Sequence, residues 1–337
     1  MNKKLLFRAD GNLQTGLGHV YRLLGLVQML KEEFECIFIT NINTPDSIFS
    51  NTYKVLRIPE DIDTQHEPNW LKENFQPKDY IIICDGYQFV SQYQKSIKEI
   101  GYKLIYIDDL MSEHMYADIV INHSPEINQE GYIKEQYTQL ALGTKYALLR
   151  SEFLNQIDKK RIAVKEKNIF VCFGGSDPHE FSYKVTMALL KIKEVGNIFV
   201  VMGASNKDKN LIRLQKTNKL KIHLFKNLGA KELLNVMLMS ELAIVPSSTI
   251  LYELCCANIP CLSGYYVDNQ KKIHAGFLKN KAIYSFGDIS EFKIYDFALK
   301  IDEVLSLTDH NEQLKHQKEM FDNYIKSRYL KLISSLC

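Results

Sequence analysis

The sequence predicts an α/β protein made of two Rossmann-like halves that face each other across a cleft. Short, continuously apolar runs alternate with helical patterns along the chain. This alternation is typical of parallel βαβ units in a sheet that is covered on both faces. It lapses in the charged stretch 151–167 and then restarts. We therefore expect two domains, 1–150 and 151–337, the second of which includes a polar helical tail.

Composition narrows the class of protein. The chain has 337 residues, of which 46% are hydrophobic and 24% are charged, enough for two ordinary domains with their own cores. The net charge of +2 gives no case for general nucleic-acid binding. No apolar run is long enough to span a membrane, and the N-terminal MNKKLLF enters a strand without the apolar stretch of a signal peptide. We expect a cytoplasmic monomer that acts on a locally anionic small molecule.

The cysteines and histidines do not indicate a metal site. The seven cysteines form no CxxC pair and mostly lie within apolar patterns. Buried free thiols in a reducing compartment explain them better than disulfides or metal ligands do. The nine histidines form no HExxH motif. We therefore predict neither a metal nor a cofactor.

The apolar runs and helical patterns place the elements of both halves. The predicted strands are Lys4–Phe7, Cys36–Thr40, Tyr80–Cys84, Lys103–Asp108 and Ile119–Ile121, then Ile169–Phe173, Asn197–Val201, Ile222–Leu224, Leu242–Val245 and Cys261–Ser263. The predicted helices are Tyr21–Glu33, Asn69–Asn74, Ser91–Ile100, His179–Lys193, Asn206–Gln215, Ala230–Met239, Ile250–Ala257 and Lys271–Lys279, with a helical tail from Ile294 to Leu336.

A glycine loop follows the first strand. It contains Gly16 and Gly18, and His19 comes where the helical pattern begins. A strand, a glycine loop and a helix start make a pocket for an anion, because unpaired N–H groups and the positive end of the helix dipole face the ligand. His19 is a candidate base, since a neutral imidazole can take a proton from water near pH 7. The alternative is a structural histidine that caps the helix.

Polar residues at two strand ends are expected near this loop. Arg8 and Asp10 end the first strand and point at the loop, where Asp10 orients His19 or a water, or caps the turn. Asp85 lies just past another predicted strand, Tyr80–Cys84, at the edge that lines the crevice of an open α/β sheet. Tyr87 follows it, and its hydroxyl either reaches the cleft or the ring packs within its loop.

A second glycine loop opens the second half. Gly174 and Gly175 follow a strand and precede a predicted helix, with Ser176 or Asp177 as the N-cap and Pro178 in the first turn. A well-formed helix start explains this pattern by itself. Contact between a phosphate and the N–H groups of the loop is the functional interpretation.

A third strand-to-helix junction carries hydroxyl groups. Ser247, Ser248 and Thr249 follow a strand, and Glu253 lies in what we predict to be the first turn of the next helix. Hydroxyls and free N–H groups at a helix start suit a diphosphate, and a carboxylate suits a ribose diol. A capping box is the alternative, and both can hold at once.

A fourth polar segment supplies side-chain amides. Asn269 and Gln270 lie in a predicted loop before the helical run Lys271–Lys279. Their amides suit phosphate or sugar oxygens. Taken alone, the segment is an ordinary polar turn.

Taken together, these stretches resemble the UDP-2,4-diacetamido-2,4,6-trideoxy-β-L-altropyranose hydrolases of pseudaminic acid biosynthesis, relatives of the MurG-type GT-B glycosyltransferases. The matches come in the family's order and run to about residue 285. They are R-A-D with G-x-G-H near the N-terminus, D-G-Y at 85–87, Y-A-L-L-R-S-E-F at 146–153, F-G-G-S-D-P at 173–178, S-S-x-x-x-x-E at 247–253 and D-N-Q at 268–270.

The resemblance implies a GT-B fold, a catalytic domain over 1–150 and a UDP-binding domain over 151–337. It implies metal-independent hydrolysis at the anomeric carbon by C–O cleavage with inversion, without a cofactor. His19 would be the base that activates water, with Tyr87 and Asn269 beside it as active-site residues. The predicted contacts to the UDP-sugar are Arg8, Asp10, Gly16, Gly18, Arg150, Gly174, Gly175, Ser176, Ser247, Ser248, Thr249, Glu253 and Gln270.

Two other functions fit the same residues. A glycosyltransferase of this fold would use an acceptor hydroxyl in place of water. A non-catalytic protein that binds a nucleotide-sugar is the interpretation if His19 is structural. Incubation with a UDP-sugar and no acceptor separates the hydrolase from the transferase.

Overall fold

Two parallel sheets organise the chain, one in each of two structural units. The computed structural model describes residues 4–12, 16–49, 54–162, 166–203 and 206–337. The first unit comprises Met1–Ser151 with Tyr324–Cys337, and the second comprises Glu152–Asn323. The predicted α/β class, with a parallel sheet in each half, is confirmed.

Strand β1 lies inside the first sheet, beside the central β4, in the order β3-β2-β1-β4-β5-β6-β7 among the described residues. The chain adds strands on one side of β1 and then crosses to the other side at β4. This reversal is a topological switch point, where open α/β sheets bind ligands beyond the carboxyl ends of the strands. The strands are β1 (Lys4–Arg8), β2 (Cys36–Thr40), β3 (Lys54–Arg57), β4 (Tyr80–Asp85), β5 (Lys103–Ile107), β6 (Ile119–Asn122) and β7 (Gln139–Leu142).

The helices of the first unit cover this sheet. They are α1 (Gly18–Leu30), α2 (Glu67–Asn74) and α3 (Ser91–Ile100), and the short α4 (Ser151–Leu154) stands at the division between the units. Helix α1 is the crossover from β1 to β2 and buries most of its length, including Leu23 and Leu26 at 0% exposure. Its first turn therefore lies at the carboxyl edge of β1, while its body is held in the core.

The last helix of the chain belongs to the first unit. The sequence pattern predicts the whole tail in the second domain. Helix α12 (Ile325–Ser334) instead contacts α1 and the turn at Thr144–Tyr146. Its buried residues Ile325, Tyr329 and Leu332 recur at helical spacing and form one apolar face. That face needs a partner, and the first unit supplies it.

The second sheet repeats the pattern with β8 at its switch point. Its described strands have the order β10-β9-β8-β11-β12-β13. They are β8 (Ile169–Val171), β9 (Ile198–Met202), β10 (Ile222–Lys226), β11 (Leu242–Pro246), β12 (Cys261–Tyr265) and β13 (Tyr284–Asp288). The helices are α5 (Phe181–Leu189), α6 (Lys209–Thr217), α7 (Ala230–Leu238), α8 (Thr249–Cys256), α9 (Asp268–Lys279), α10 (Ile294–Leu305) and α11 (Asn311–Met320). The reversal between β8 and β11 brings the loops after these two strands to one edge.

Three strands were not predicted from the sequence, and all three lie at sheet edges. They are β3, β7 and β13. An edge strand is covered less than a central one, so β3 (KVLR) and β13 (YSFGD) lack the continuous apolar run that marked the other strands. Among the described residues, no helix is both long enough and apolar enough to cross a membrane.

Candidate active site and nucleotide site

The first candidate site lies at the switch point of the first sheet. Strands β1 and β4 pair in parallel, with Arg8 opposite Cys84. The loop after β1 leads into α1, and Asp85 is the last residue of β4, directly before the next loop. Both loops leave the sheet at the same carboxyl edge, which brings residues 66 positions apart into contact.

His19, Asp85 and Arg22 form a compact charged cluster at this edge. His19 Nδ1 lies 2.7 Å from Asp85 Oδ1. Arg22 donates two hydrogen bonds to the same carboxylate, from Nη2 to Oδ1 at 2.6 Å and from Nε to Oδ2 at 2.9 Å. Asp85 is fully buried, whereas the side chain of His19 is 22% exposed. The imidazole is thus bonded through Nδ1 to a buried carboxylate, while part of the side chain remains accessible to solvent.

The charge of Asp85 decides which ring nitrogen of His19 carries the proton. Burial raises the pKa of Asp85, but Arg22 and His19 outweigh burial and hold that pKa below its usual value. The carboxylate is therefore ionised and only accepts hydrogen bonds, so His19 Nδ1–H is the donor. Arg22 Nη2 lies 2.8 Å from the same nitrogen, and one of its two N–H groups donates to Asp85. If His19 Nδ1 accepted the other N–H, its unprotonated nitrogen would face the carboxylate oxygen at 2.7 Å with no proton between them, which the charge of Asp85 disfavours. In the neutral ring the lone pair is then on Nε2, the arrangement of a general base.

Tyr87 stands beside the imidazole of His19. Its ring meets that of His19 edge to face, with centroids 4.8 Å apart. Its hydroxyl donates to Asp109 Oδ2 at 3.3 Å, and Arg22 Nη1 donates to the same oxygen at 3.0 Å. Tyr87 is 44% exposed, so part of the residue is accessible from solvent.

Arg8 and Asp10 bond to neighbouring segments of the first unit and not to His19, which leaves the structural alternative for Asp10. The Arg8 guanidinium is 3% exposed and binds Glu67 through Nε (2.7 Å) and Nη2 (2.9 Å) and Asp10 through Nη1 (2.5 Å). Asp10 also accepts from the Asn41 N–H at 2.7 Å and from Gln88 Nε2 at 3.1 Å. Asp85, not Asp10, therefore orients His19, and Arg8 is a buried clamp rather than a substrate contact.

The glycines of the first loop leave open space at the start of α1. Gly16 has φ +90°, a conformation that strains other residues, and pairs with Asn12 to close the loop. A Cβ added at Gly16 or Gly18 would meet no atom within 4 Å. Residues 13–15 of this loop lie outside the described part of the chain.

Arg150, a further predicted substrate contact, is half-buried near the end of the main segment of the first unit.

The second candidate site lies at the switch point of the second sheet. Gly174, Gly175 and Ser176 are exposed in the loop after β8, and Gly174 has φ +83°. The predicted start of the next helix was two residues early, because α5 begins at Phe181 and Pro178 lies outside it. The N-cap is Glu180 rather than Ser176 or Asp177. The Asp177 carboxylate nevertheless accepts from the first N–H groups of the helix, those of Phe181 (2.9 Å) and Ser182 (2.8 Å).

The hydroxyl junction after β11 is built differently from the prediction. Ser247 is fully buried, and its Oγ lies 2.9 Å from Ser263 Oγ and 2.8 Å from His274 Nδ1, so its side chain is not a ligand contact. Ser248 is the N-cap of α8 but makes no side-chain capping bond, and Thr249 is the first helical residue. Glu253 lies in the second turn and is 4% exposed, so the predicted capping box is absent here.

Asn269 and Gln270 lie in the first turn of α9 rather than in a loop before it. Asn269 is exposed. Gln270 is buried, and its Oε1 accepts from the Tyr266 N–H at 3.2 Å, which closes the turn between β12 and α9. Helices α8 and α9 follow neighbouring strands, so their N-terminal ends lie at one edge of the sheet.

Three residues of the first site were not predicted as functional. Arg22 lies three positions after His19, which puts both on one face of α1, so this spacing was a usable signal. Asp85 was recognised only as a strand-end residue. Asp109 carries no local signal, because only the pairing of β4 with β5 brings it to Arg22.

These two switch-point sites and the sheets that carry them define a GT-B-fold protein. MurG of Acinetobacter baumannii has a TM-score of 0.66 and is 11% identical, with 98% of this chain and 99% of MurG covered. UGT71G1 of Medicago truncatula, solved with UDP-glucose, has a TM-score of 0.67 and is 10% identical, with 99% and 98% covered. At such low identity these likenesses establish the fold alone.

Sequence relatives are closer and point to sugar chemistry. The UDP-2,4-diacetamido-2,4,6-trideoxy-β-L-altropyranose hydrolase of Campylobacter jejuni is 28% identical over 275 residues, which are 80% of this chain and 93% of that protein. The spore coat polysaccharide biosynthesis protein SpsG of Bacillus subtilis is 25% identical over 284 residues, 83% and 82% of the two chains. The resemblance that the motifs predicted is confirmed.

A third relative is longer than this chain. It is an uncharacterized protein of Methanocaldococcus jannaschii, 30% identical over 293 residues, which are 82% of this chain but only 58% of that protein. The chain thus spans little more than half of that relative's length. No protein-family model matches the chain.

Proposed function

We propose that this protein hydrolyses a UDP-linked 2,4-diacetamido-2,4,6-trideoxy sugar at its anomeric carbon. The observation that carries the proposal is the imidazole of His19, held by a buried, ionised Asp85 and open to solvent at the switch point of its sheet. A water molecule needs such a base, because it is a poor nucleophile until a proton is removed. The similarity to the Campylobacter jejuni hydrolase supports the choice of reaction and of substrate.

The reaction moves one proton and breaks one bond. His19 Nε2 takes a proton from water as the water oxygen bonds to the anomeric carbon. The bond between that carbon and the phosphate oxygen breaks, and its electron pair leaves with UDP. Attack from the face opposite UDP inverts the anomeric centre. Tyr87, whose ring contacts His19, is placed to contact the sugar.

The second unit supplies the proposed nucleotide site. The N-terminal ends of α8 and α9 and the exposed Gly174–Ser176 loop offer backbone N–H groups to a diphosphate. The same groups stabilise the negative charge that builds on the leaving UDP. Ser248 and Asn269 add polar side chains there. Glu253 is proposed to bind the ribose. Because the residue is only 4% exposed, the ribose hydroxyls would contact it at that exposed part.

Hydrolysis in water enriched in ¹⁸O tests the reaction directly. We expect ¹⁸O in the released sugar and none in UDP, because the C–O bond is cleaved, and NMR of the first product should show the inverted anomer. The label in UDP would mean P–O cleavage and would contradict the mechanism. Activity is expected to persist with EDTA present. A panel of UDP-sugars identifies the sugar, and a place in pseudaminic acid biosynthesis requires the altropyranose substrate to be preferred.

The same assay separates the alternatives. A glycosyltransferase would release little UDP without an acceptor, and a binding protein would release none. A transferase shares the fold, as the MurG likeness illustrates. Hydrolysis is favoured over transfer because the similar hydrolase covers most of this chain.

A further inference from the structure

A chain of three hydroxyls and one imidazole, buried except at its Ser285 end, lies behind the proposed nucleotide site. It consists of Ser263, Ser247, His274 and Ser285, and we call it the Ser–His cluster. His274 Nδ1 lies 2.8 Å from Ser247 Oγ, and His274 Nε2 lies 2.7 Å from Ser285 Oγ. Ser247 Oγ continues the chain to Ser263 Oγ at 2.9 Å.

The cluster joins four elements of the second unit. Ser263 in β12 pairs with Ser285 in β13, and Ser247 directly follows β11. His274 comes from α9, the helix that connects β12 to β13. Ser247 and Ser263 are fully buried and His274 is 3% exposed. A ligand therefore does not reach these side chains, and their effect on binding must be indirect.

Both ring nitrogens of His274 are engaged, so the imidazole acts as a rigid connector. In either tautomer one nitrogen donates and the other accepts, since a serine hydroxyl can do both. Burial lowers the pKa of His274, which keeps the ring neutral near pH 7. The Gly287 N–H donates to Ser285 Oγ at 2.9 Å and anchors the far end.

The connector acts on the two helix starts that were assigned to the diphosphate. Ser247 immediately precedes Ser248 and Thr249, which open α8. His274 belongs to α9, whose first turn contains Asn269. Two neighbouring helix N-termini both carry partial positive charge and repel each other until an anion lies between them. The bond from Ser247, next to the N-cap of α8, to His274, in the second turn of α9, fixes the spacing of the two helices before the ligand arrives.

We propose that His274 is a positioning residue for nucleotide binding, because it holds the start of α8 at a fixed distance from α9. The inference rests on the proposed nucleotide site and deepens it. Preorganisation lowers the ordering cost of binding, so its loss weakens affinity for the phosphates. The affinity for the uridine part of the ligand does not depend on the bond between Ser247 and His274.

A pair of amide variants tests the inference. The side chain of His274→Asn places its amide near the position of Nδ1 and keeps a partner for Ser247. The side chain of His274→Gln reaches the position of Nε2 and keeps a partner for Ser285 only. Calorimetry with uridine, UMP and UDP should show His274→Gln weakening UDP binding about tenfold, with His274→Asn within about threefold of wild type. Uridine affinity should change little in either variant.

Ser247→Ala is the second variant and should weaken UDP binding at least as much as His274→Gln, because it removes the bond to His274 from the other side, together with the bond to Ser263, with little change in volume. Equal losses in the Asn and Gln variants, or a parallel loss for uridine, would show a merely structural role and overturn the inference. Unchanged UDP affinity in Ser247→Ala would overturn it as well. If wild type binds UDP but hydrolyses nothing, only the proposed reaction fails. If wild type does not bind UDP, both fail.

Discussion

Replacement of Asp85 by Asn tests the proposed chemistry most directly. Asp85 accepts three hydrogen bonds, one from His19 and two from Arg22. Asn keeps one oxygen and replaces the other with a donor. If the new amide N–H₂ faces His19, the ring must accept at Nδ1, so its proton moves to Nε2 and the base is lost. If the oxygen faces His19, the amide N–H₂ meets Arg22 Nε, and two donors oppose each other.

The expected loss in kcat follows from the role of the base. General base catalysis contributes about 10²- to 10⁴-fold, and we expect Asp85→Asn to lose most of it. The loss corresponds to about 3–5 kcal/mol of transition-state stabilisation. Affinity for UDP should be unchanged, because the proposed nucleotide site is in the other unit. Long-range ¹H–¹⁵N NMR of the histidine rings should show the proton on Nδ1 of His19 in wild type and on Nε2 in the variant.

Asp118→Asn is the matched control. Asp118 is a similarly buried carboxylate that binds Lys98 and Lys103, and it precedes β6, at the opposite edge of the same sheet. Its replacement destabilises the first unit without touching His19. A kcat for Asp85→Asn within threefold of wild type, with Asp118→Asn similar, would refute the assignment of His19 and Asp85.

Three further predictions follow from the same contacts. His19→Ala should lower turnover by a factor of about 10² or more and leave UDP affinity intact, and near-normal turnover would rule out the base. Glu253→Ala should weaken UDP binding about tenfold or more, through loss of a charge-assisted bond, and unchanged calorimetric affinity would refute the ribose contact. The folded-state pKa values of Asp85 and Asp10 are lowered, by Arg22 and Arg8 respectively, against burial that raises them. The stability that these groups contribute is therefore present above their ordinary value of 3.8 and lost as the pH falls through the lower folded-state value. Thermal unfolding measured from pH 6 to pH 2 should show this loss, and Asp85→Asn should flatten it.

Much of the fold follows from local patterns in the chain. The buried strands β1, β2 and β4 are recognisable in the sequence as apolar runs, because both faces of an interior parallel strand lie in the core. The edge strands β3 and β13 lack such apolar runs, since they lie at the edges of their sheets and most of their residues are only partly buried. Helix α9 begins three residues earlier than its apolar pattern suggests, because its first turn is polar and lies at the ligand edge.

The amino-acid sequence by itself determined the α/β class, the glycine loops and the position of His19 at a helix start, because each depends on neighbours within one turn or one strand. Tertiary structure decided what those residues contact. Strand order brings Asp85 to His19 across 66 positions and sends Arg8 to Glu67 across 59. It also turns Ser247 inward to His274. Hydrogen bonds between distant segments depend on which strands are adjacent, and that order is a property of the whole sheet.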